Sequence, residues 1–120
     1  MFDLKDQVAI VTGGANGIGQ GIAESLAKAG ARVIIADIDE DNGQKVAGKV
    51  SGDFLKLDVT DKENAQSIVE AVIEKYGKID ILAANTGIYP DVKIEDMDEE
   101  DWDKVFDINL KGMFFIVKPV

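Results

Sequence analysis

"VTGGANGIGQGIAESLAKAG", residues 11–30, sets glycine at positions 13, 14, 17, 19, 21 and 30. Glycine in a helix interior costs about 1 kcal/mol relative to alanine, yet this stretch continues as a helix. Ile18, Ile22, Leu26 and Ala29 recur at helical spacing, and Gly30 is a stop signal. The run just before it, VAIV at 8–11, is short, apolar and β-branched, the pattern of a buried strand. The order is therefore strand, glycine-rich turn, helix. Such a turn has to reverse tightly and bring backbone N–H groups close to something, and side chains would obstruct both. Free N–H groups at a helix start attract anions, and the helix dipole adds to the attraction. A pyrophosphate seated on that start explains the glycines. The plain alternative is a tight turn with no ligand; the strand before, the helix after and an acid at the end of the next strand weigh against it.

The same alternation extends outward. RVIIA (32–36) is a second strand, and EDNGQKVAGKV (40–50) a weaker helix interrupted by Gly43 and Gly48. FLKLDV (54–59) is a third strand. Ala65, Ile68, Val69, Val72, Ile73 and Tyr76 then share one helix face, with Thr60 and Glu63 as a capping-box pair and Gly77 as the stop. IDILAA (79–84) is a fourth strand, Pro90 lies in a loop, and a last helix is expected from Asp98 to Val117. Short apolar strands joined by helices imply a parallel sheet covered on both faces. Right-handed crossovers make it doubly wound. The 120 residues are enough for one domain with one core, and no linker or low-complexity segment divides them.

Composition sets limits. Asp and Glu number 23 against 13 Lys and Arg, a net charge of −10. That speaks against a nucleic-acid partner, which needs a basic face. The acidic run DVKIEDMDEEDWDKVFD (91–107) fits a solvated helix start and its loop. Cysteine and histidine are absent, so disulfides and thiolate or imidazole metal ligands are excluded and no metal site is expected. No apolar run is long enough to cross a bilayer. The N-terminus lacks the basic and apolar regions of a secretory signal, so a cytoplasmic setting is the default.

Asp37 closes the second strand in RVIIADID, 18 positions beyond Gly19. Its carboxylate can accept hydrogen bonds from both hydroxyls of an adenosine ribose. It would repel a 2′-phosphate by roughly 1–4 kcal/mol at about 4 Å. The neighbouring positions that could offset this, Asn16 and Ile38, are neutral, so NAD is expected over NADP. The alternative is a strand-end acid in solvent.

The glycine spacing is not G-x-G-x-x-G but T-G-x-x-x-G-x-G, at Thr12, Gly13, Gly17, Ile18 and Gly19. This resembles the short-chain dehydrogenase/reductase family, and other segments agree along the whole chain. LDV (57–59) is similar to the family's third-strand ending, which implies that Asp58 and Val59 contact adenine; capping of the following turn is a compatible role for Asp58. ILAANTGI (81–88) resembles the family's N-N-A-G motif. Asn85 and Gly87 fit it, whereas Ala84 replaces the first Asn and Thr86 replaces Ala. The resemblance gives Asn85, Thr86 and Gly87 a place beside the cofactor riboses. DINLKGMFF (107–115) resembles the segment with a catalytic Asn. Trp102, Phe106, Asn109, Met113 and Ile116 follow 3–4 spacing, so an amide falls on an apolar stripe and needs partners if buried. The resemblance makes Asn109 the residue that holds a water and, through it, an active-site lysine.

The resemblance implies a Rossmann-type sheet with strand order 3-2-1-4 and helices on both faces, incomplete as a family fold. The implied activity is hydride transfer between NAD(H) and a secondary alcohol or ketone, commonly in a homo-oligomer. The family's catalytic Ser, Tyr and Lys follow the segment present here, so the expectation is a truncated chain that keeps the cofactor half. YPDVK (89–93) matches Y-x-x-x-K by spacing, but Pro90 and Asp91 favour a loop over the helix that would align Tyr89 with Lys93. Two further readings stand beside the enzyme: an inactive NAD-binding module, and a fragment that self-associates through its exposed edge strand and last helix.

Overall fold

In β1 (Val8–Thr12), Val8 and Ile10 point to one side and Ala9 and Val11 to the other, all of them buried. A strand apolar on both faces has to be covered on both. β2 (Arg32–Asp37) alternates in the same way, with Ile34 and Ala36 on one side and Val33 and Ile35 on the other. The computed structural model describes residues 2–120. Its sheet is parallel, in the order β3-β2-β1-β4, with β3 at Asp53–Lys56 and β4 at Ile81–Ala84. Ile10 is level with Ile34 on one side and Leu82 on the other. α1 (Gly17–Lys28) and α2 (Glu40–Lys49) cover the face of Ala9, Val11, Val33 and Ile35. α3 (Lys62–Tyr76) and α5 (Gly112–Val117) cover the other, where Ile68, Val69, Val72 and Ile116 meet Ile10 and Ile34. The expected doubly wound α/β architecture and strand order are present.

Five local expectations are corrected. Ile18 does not join the inner face of α1 and is 80% exposed. The helix packs instead through Gly19 and Ala23, flanked by Ile22, Leu26 and Ala27. β3 ends at Lys56 rather than at 59, because Asp58 turns the chain: its Oδ1 accepts from the Thr60 N–H at 2.9 Å and from the Thr60 hydroxyl at 2.6 Å. The Thr60 side chain is turned to Asp58 and makes no capping bond to α3. Asp61 caps α3, accepting from the N–H groups of Glu63 and Asn64. β4 begins at Ile81 and not at 79; Asp80 precedes it and clamps Val8, its N–H donating to the Val8 carbonyl and its carboxylate accepting from the Val8 N–H, both at 2.8 Å.

The last correction is the largest. One helix over 98–117 is expected, but α4 (Glu99–Phe106) passes into a π-helical turn at Asp107–Lys111 before α5. A π turn adds a residue to the helix circumference and shifts every later face. The expected stripe is not buried as a unit: Ile116 is buried, while Trp102 and Phe106 before the π turn and Met113 after it are exposed. Trp102 and Phe106 stack on each other at 4.6 Å. Phe114 and Val117 are exposed, and Phe115 packs against the core.

Candidate functional site

β2 and β3 lie on one side of β1 and β4 on the other, so the chain leaves the carboxyl ends of β1 and β4 in opposite directions. A crevice forms at such a switch point. Here it is a cleft of about 360 Å³, lined by Gly13 and Asn16 from the glycine turn, Asp37 and Ile38 after β2, Leu57–Val59 after β3, Asn85–Ile88 after β4, and Ile108. A groove of about 470 Å³ along the outer edge of β3 lies away from the glycine turn.

Thr12 braces the floor of this cleft. It is 1% exposed, the one buried polar residue of the core among the described residues. Its hydroxyl oxygen accepts from the N–H groups of Asn85 at 3.0 Å and Thr86 at 3.2 Å, tying the end of β1 to the loop after β4. The Asn85 side-chain amide donates back to the Gly13 carbonyl at 3.3 Å. Gly19 packs underneath, where a Cβ would overlap the Gly13 carbonyl oxygen and the Asn85 amide. Gly17 has a different reason: its φ of +53° suits glycine, and the space where a Cβ would stand is open.

Asp37 holds the turn from the β2 side. One carboxylate oxygen accepts from the Ala15 N–H at 3.0 Å and the other from the Asp39 N–H at 2.9 Å. Each oxygen keeps a second lone pair. Asp39 accepts from the side-chain amide and N–H of Asn42 and from the Asn16 amide. These bonds, Asn42's foremost, hold its carboxyl below the usual aspartate range. Asp58 accepts from Thr60 through Oδ1, so capping of this turn is realised and Oδ2 remains open.

At the far end, the Asn109 amide pairs with both backbone groups of one residue of the β4 loop, Ile88. Its oxygen accepts from the Ile88 N–H at 2.8 Å and its nitrogen donates to the Ile88 carbonyl at 2.9 Å. One donor and one acceptor of the amide are thus committed, and this pairing pins the π turn to the loop. Gly112 lets the following turn press on Val59, since a Cβ there would come within 2.9 Å of the Val59 side chain.

Nine of the residues singled out from sequence line the cleft: Gly13, Asn16, Asp37, Ile38, Asp58, Val59, Asn85, Thr86 and Gly87. Thr12 and Gly19 lie buried beneath it, Gly17 and Ile18 stand exposed at the start of α1, and Asn109 sits behind Ile88. Tyr89 is 94% exposed in the loop after β4, and Lys93 precedes a short 3-10 turn at Ile94–Asp96. Sequence reasoning missed Leu57, Ile88 and Ile108 as apolar lining and Asp39 as the partner of Asn16. The spacing of Asp39 to Asn42 was a visible capping signal for the last of these. Among the described residues, the N–H groups of Gly17, Ile18 and Gly19 have no protein acceptor. The start of α1, which follows Asn16 of the lining, therefore offers free N–H donors at a positive helix end, and the cleft itself offers acceptor lone pairs on two acids and apolar walls.

The model of the family "short chain dehydrogenase" matches residues 7–120. A galactitol 2-dehydrogenase of Agrobacterium fabrum is 44% identical over 119 residues, covering 98% of this chain and 46% of that protein. An NAD-dependent glycerol dehydrogenase of Listeria innocua is 42% identical, covering 99% and 48%. Among solved structures, a 3-ketoacyl-(acyl-carrier-protein) reductase of Brucella melitensis complexed with NADH superposes with a TM-score of 0.91 at 32% identity, covering 97% of this chain and 49% of that one. The chain spans about half the length of these relatives. With the family model matched from residue 7 to residue 120, this chain belongs to the short-chain dehydrogenases.

Proposed function

We propose that residues 1–120 form the dinucleotide-binding part of an NAD-dependent oxidoreductase that moves a hydride between NAD(H) and a secondary alcohol or its ketone. The observation that carries this reading is the open start of α1, with the N–H groups of Gly17, Ile18 and Gly19 free beside the Asp37 carboxylate. The pyrophosphate takes these N–H groups, and the closely packed Gly13 and Gly19 let it approach the backbone. Asp37 accepts from the adenosine ribose hydroxyls through its remaining lone pairs. Ile38, Asp58 and Val59 border the adenine, and Asn85, Thr86 and Gly87 pass the riboses. Thr12 acts from beneath by fixing Asn85 and Thr86. Asn109 acts through the Ile88 loop and retains one donor and one acceptor for the water that the family resemblance assigns to it. When bound, the nicotinamide supplies the hydride acceptor or donor.

The preference for NAD rests on charge: in this reading a 2′-phosphate would meet the Asp37 carboxylate, and among the described residues no Arg or Lys lines the cleft to offset it. Among the described residues no tyrosine or lysine lines it either, and the 120 residues alone are read as binding the dinucleotide without turning over an alcohol. A homo-oligomer, carried by the family resemblance, and a cytoplasmic setting, the default for an N-terminus without a secretory pattern, belong to the same reading. The two polyol dehydrogenases among the relatives make sugar alcohols the first substrates to try. Calorimetric titration with NAD and then NADP tests the reading. Binding of NAD with NADP at least tenfold weaker is expected; equal affinity removes the Asp37 argument, and no binding of either removes the dinucleotide site.

A further inference from the structure

α1 begins with an asparagine that stands at the cap position and does not cap. Asparagine is among the best helix caps, its side-chain oxygen accepting from the second or third N–H of the helix. Asn16 has the extended backbone of a cap, φ −148° and ψ 162°, yet its side chain makes no capping bond. Its amide nitrogen instead reaches across to the β2–α2 loop and donates to the Asp39 Oδ2 at 3.3 Å. Asp39 is a firmly held acceptor. Its Oδ2 also takes the Asn42 amide at 2.7 Å, its Oδ1 takes the Asn42 N–H at 3.2 Å, and its own N–H donates to Asp37 at 2.9 Å.

We infer that Asp39 is a positioning residue for dinucleotide binding: it draws the Asn16 side chain off the first turn of α1, keeping the N–H groups of Ile18 and Gly19 open to the pyrophosphate. The inference rests on the dinucleotide reading above. A capping side chain and a phosphate oxygen compete for the same N–H groups. Released from Asp39, Asn16 becomes that competitor. One capping interaction corresponds to about a five-fold change in an equilibrium constant.

The test compares wild type, D39S, N16G and N16G/D39S. Serine at 39 still caps α2 but is too short to reach Asn16, and unchanged exchange of the α2 amides verifies that α2 is intact. In the NAD-free 15N-labelled chain, hydrogen exchange at Ile18 or Gly19 is expected to slow about five-fold in D39S. It should return to the wild-type rate in N16G/D39S, where no side chain remains to cap. The affinity for NAD should fall about five-fold in D39S, while N16G and N16G/D39S bind alike. Unchanged exchange in D39S overturns the inference, as does slowed exchange with unchanged NAD affinity. A wild-type chain that binds no NAD sinks the dinucleotide reading together with this one. A wild type that binds NAD beside an indifferent D39S sinks the inference alone.

Discussion

Replacing Thr12 by valine removes one oxygen and almost no volume, so its effect isolates the brace between β1 and the β4 loop. The Thr12 hydroxyl is buried at 1% exposure and accepts from the N–H groups of Asn85 and Thr86 at 3.0 and 3.2 Å. Valine leaves both N–H groups without that acceptor. Each lost bond costs about 1–1.5 kcal/mol where water reaches the orphaned group only in part. The added methyl recovers about 0.8 kcal/mol by burial. The net expectation is a destabilisation of about 2 kcal/mol, read by urea unfolding followed by circular dichroism. T12S keeps the hydroxyl and loses a methyl, at a cost of about 1 kcal/mol. The two variants separate in function: T12V frees the loop that borders the cleft and should weaken NAD binding at least tenfold, whereas T12S should stay within about twofold. A T12V chain as stable as wild type, with unaltered NAD affinity, would refute the brace.

Glycines at two nearby positions should respond in opposite directions. G19A drives a methyl into the Gly13 carbonyl and the Asn85 amide and should abolish NAD binding; G21A meets nothing within 4 Å and should stabilise the chain by about 0.5–1 kcal/mol. Thermal melts of both check this, and a G19A chain that binds NAD normally would contradict the packing. D37A should cost ten- to hundred-fold in NAD affinity, the scale of charge-assisted bonds, and narrow the NAD/NADP ratio; an unchanged ratio in paired titrations would count against it. At Asp53, the Tyr76 hydroxyl and then Lys75 hold the carboxyl below the ordinary aspartate value of 3.8. A depressed carboxylate stabilises the fold above its unfolded pKa, and that contribution is lost as pH falls through the folded value. Urea unfolding at pH 6 and pH 3 should therefore show a smaller acid loss in D53N than in wild type, and equal losses would remove Asp53 from the acid limb.

The sheet was legible because its evidence is local. Runs such as VAIV and VIIA (33–36) are apolar at every position, which suits strands covered on both faces, and the glycine turn marks where the first helix begins. What was not legible depends on pairs distant in sequence. The π turn follows from Asn109 meeting Ile88, 21 residues earlier, and from Gly112 lying against Val59. No periodicity within 98–117 carries that information. The cap of α3 moved from Thr60 to Asp61 because two side chains compete locally, and only the folded turn shows that Asp58 takes Thr60. The β3 boundary moved for the same reason. Asn16 was read as a neutral neighbour of a ribose, while its partner Asp39 is 23 residues away.

The cleft is better understood through what the fold leaves unpaired than through what it pairs. Divergence of the chain at β1 and β4 opens a crevice, but an open crevice lined by loops would be soft. Three ties stiffen it, each between segments far apart in sequence: Thr12 to Asn85 and Thr86, Asp37 to Ala15, and Asp39 to Asn16. Every tie commits a polar group that could otherwise turn toward a ligand or toward a neighbouring backbone. The groups left over therefore include the N–H groups at the start of α1, the second lone pairs of Asp37, one oxygen of Asp58, and one donor and one acceptor of Asn109. A ligand matching them carries an anion and, within one molecule, a pair of hydroxyls. Loosening the Asp39 tie adds a competitor for the α1 N–H groups before it removes a contact, and so at that tie affinity should fail before the fold does.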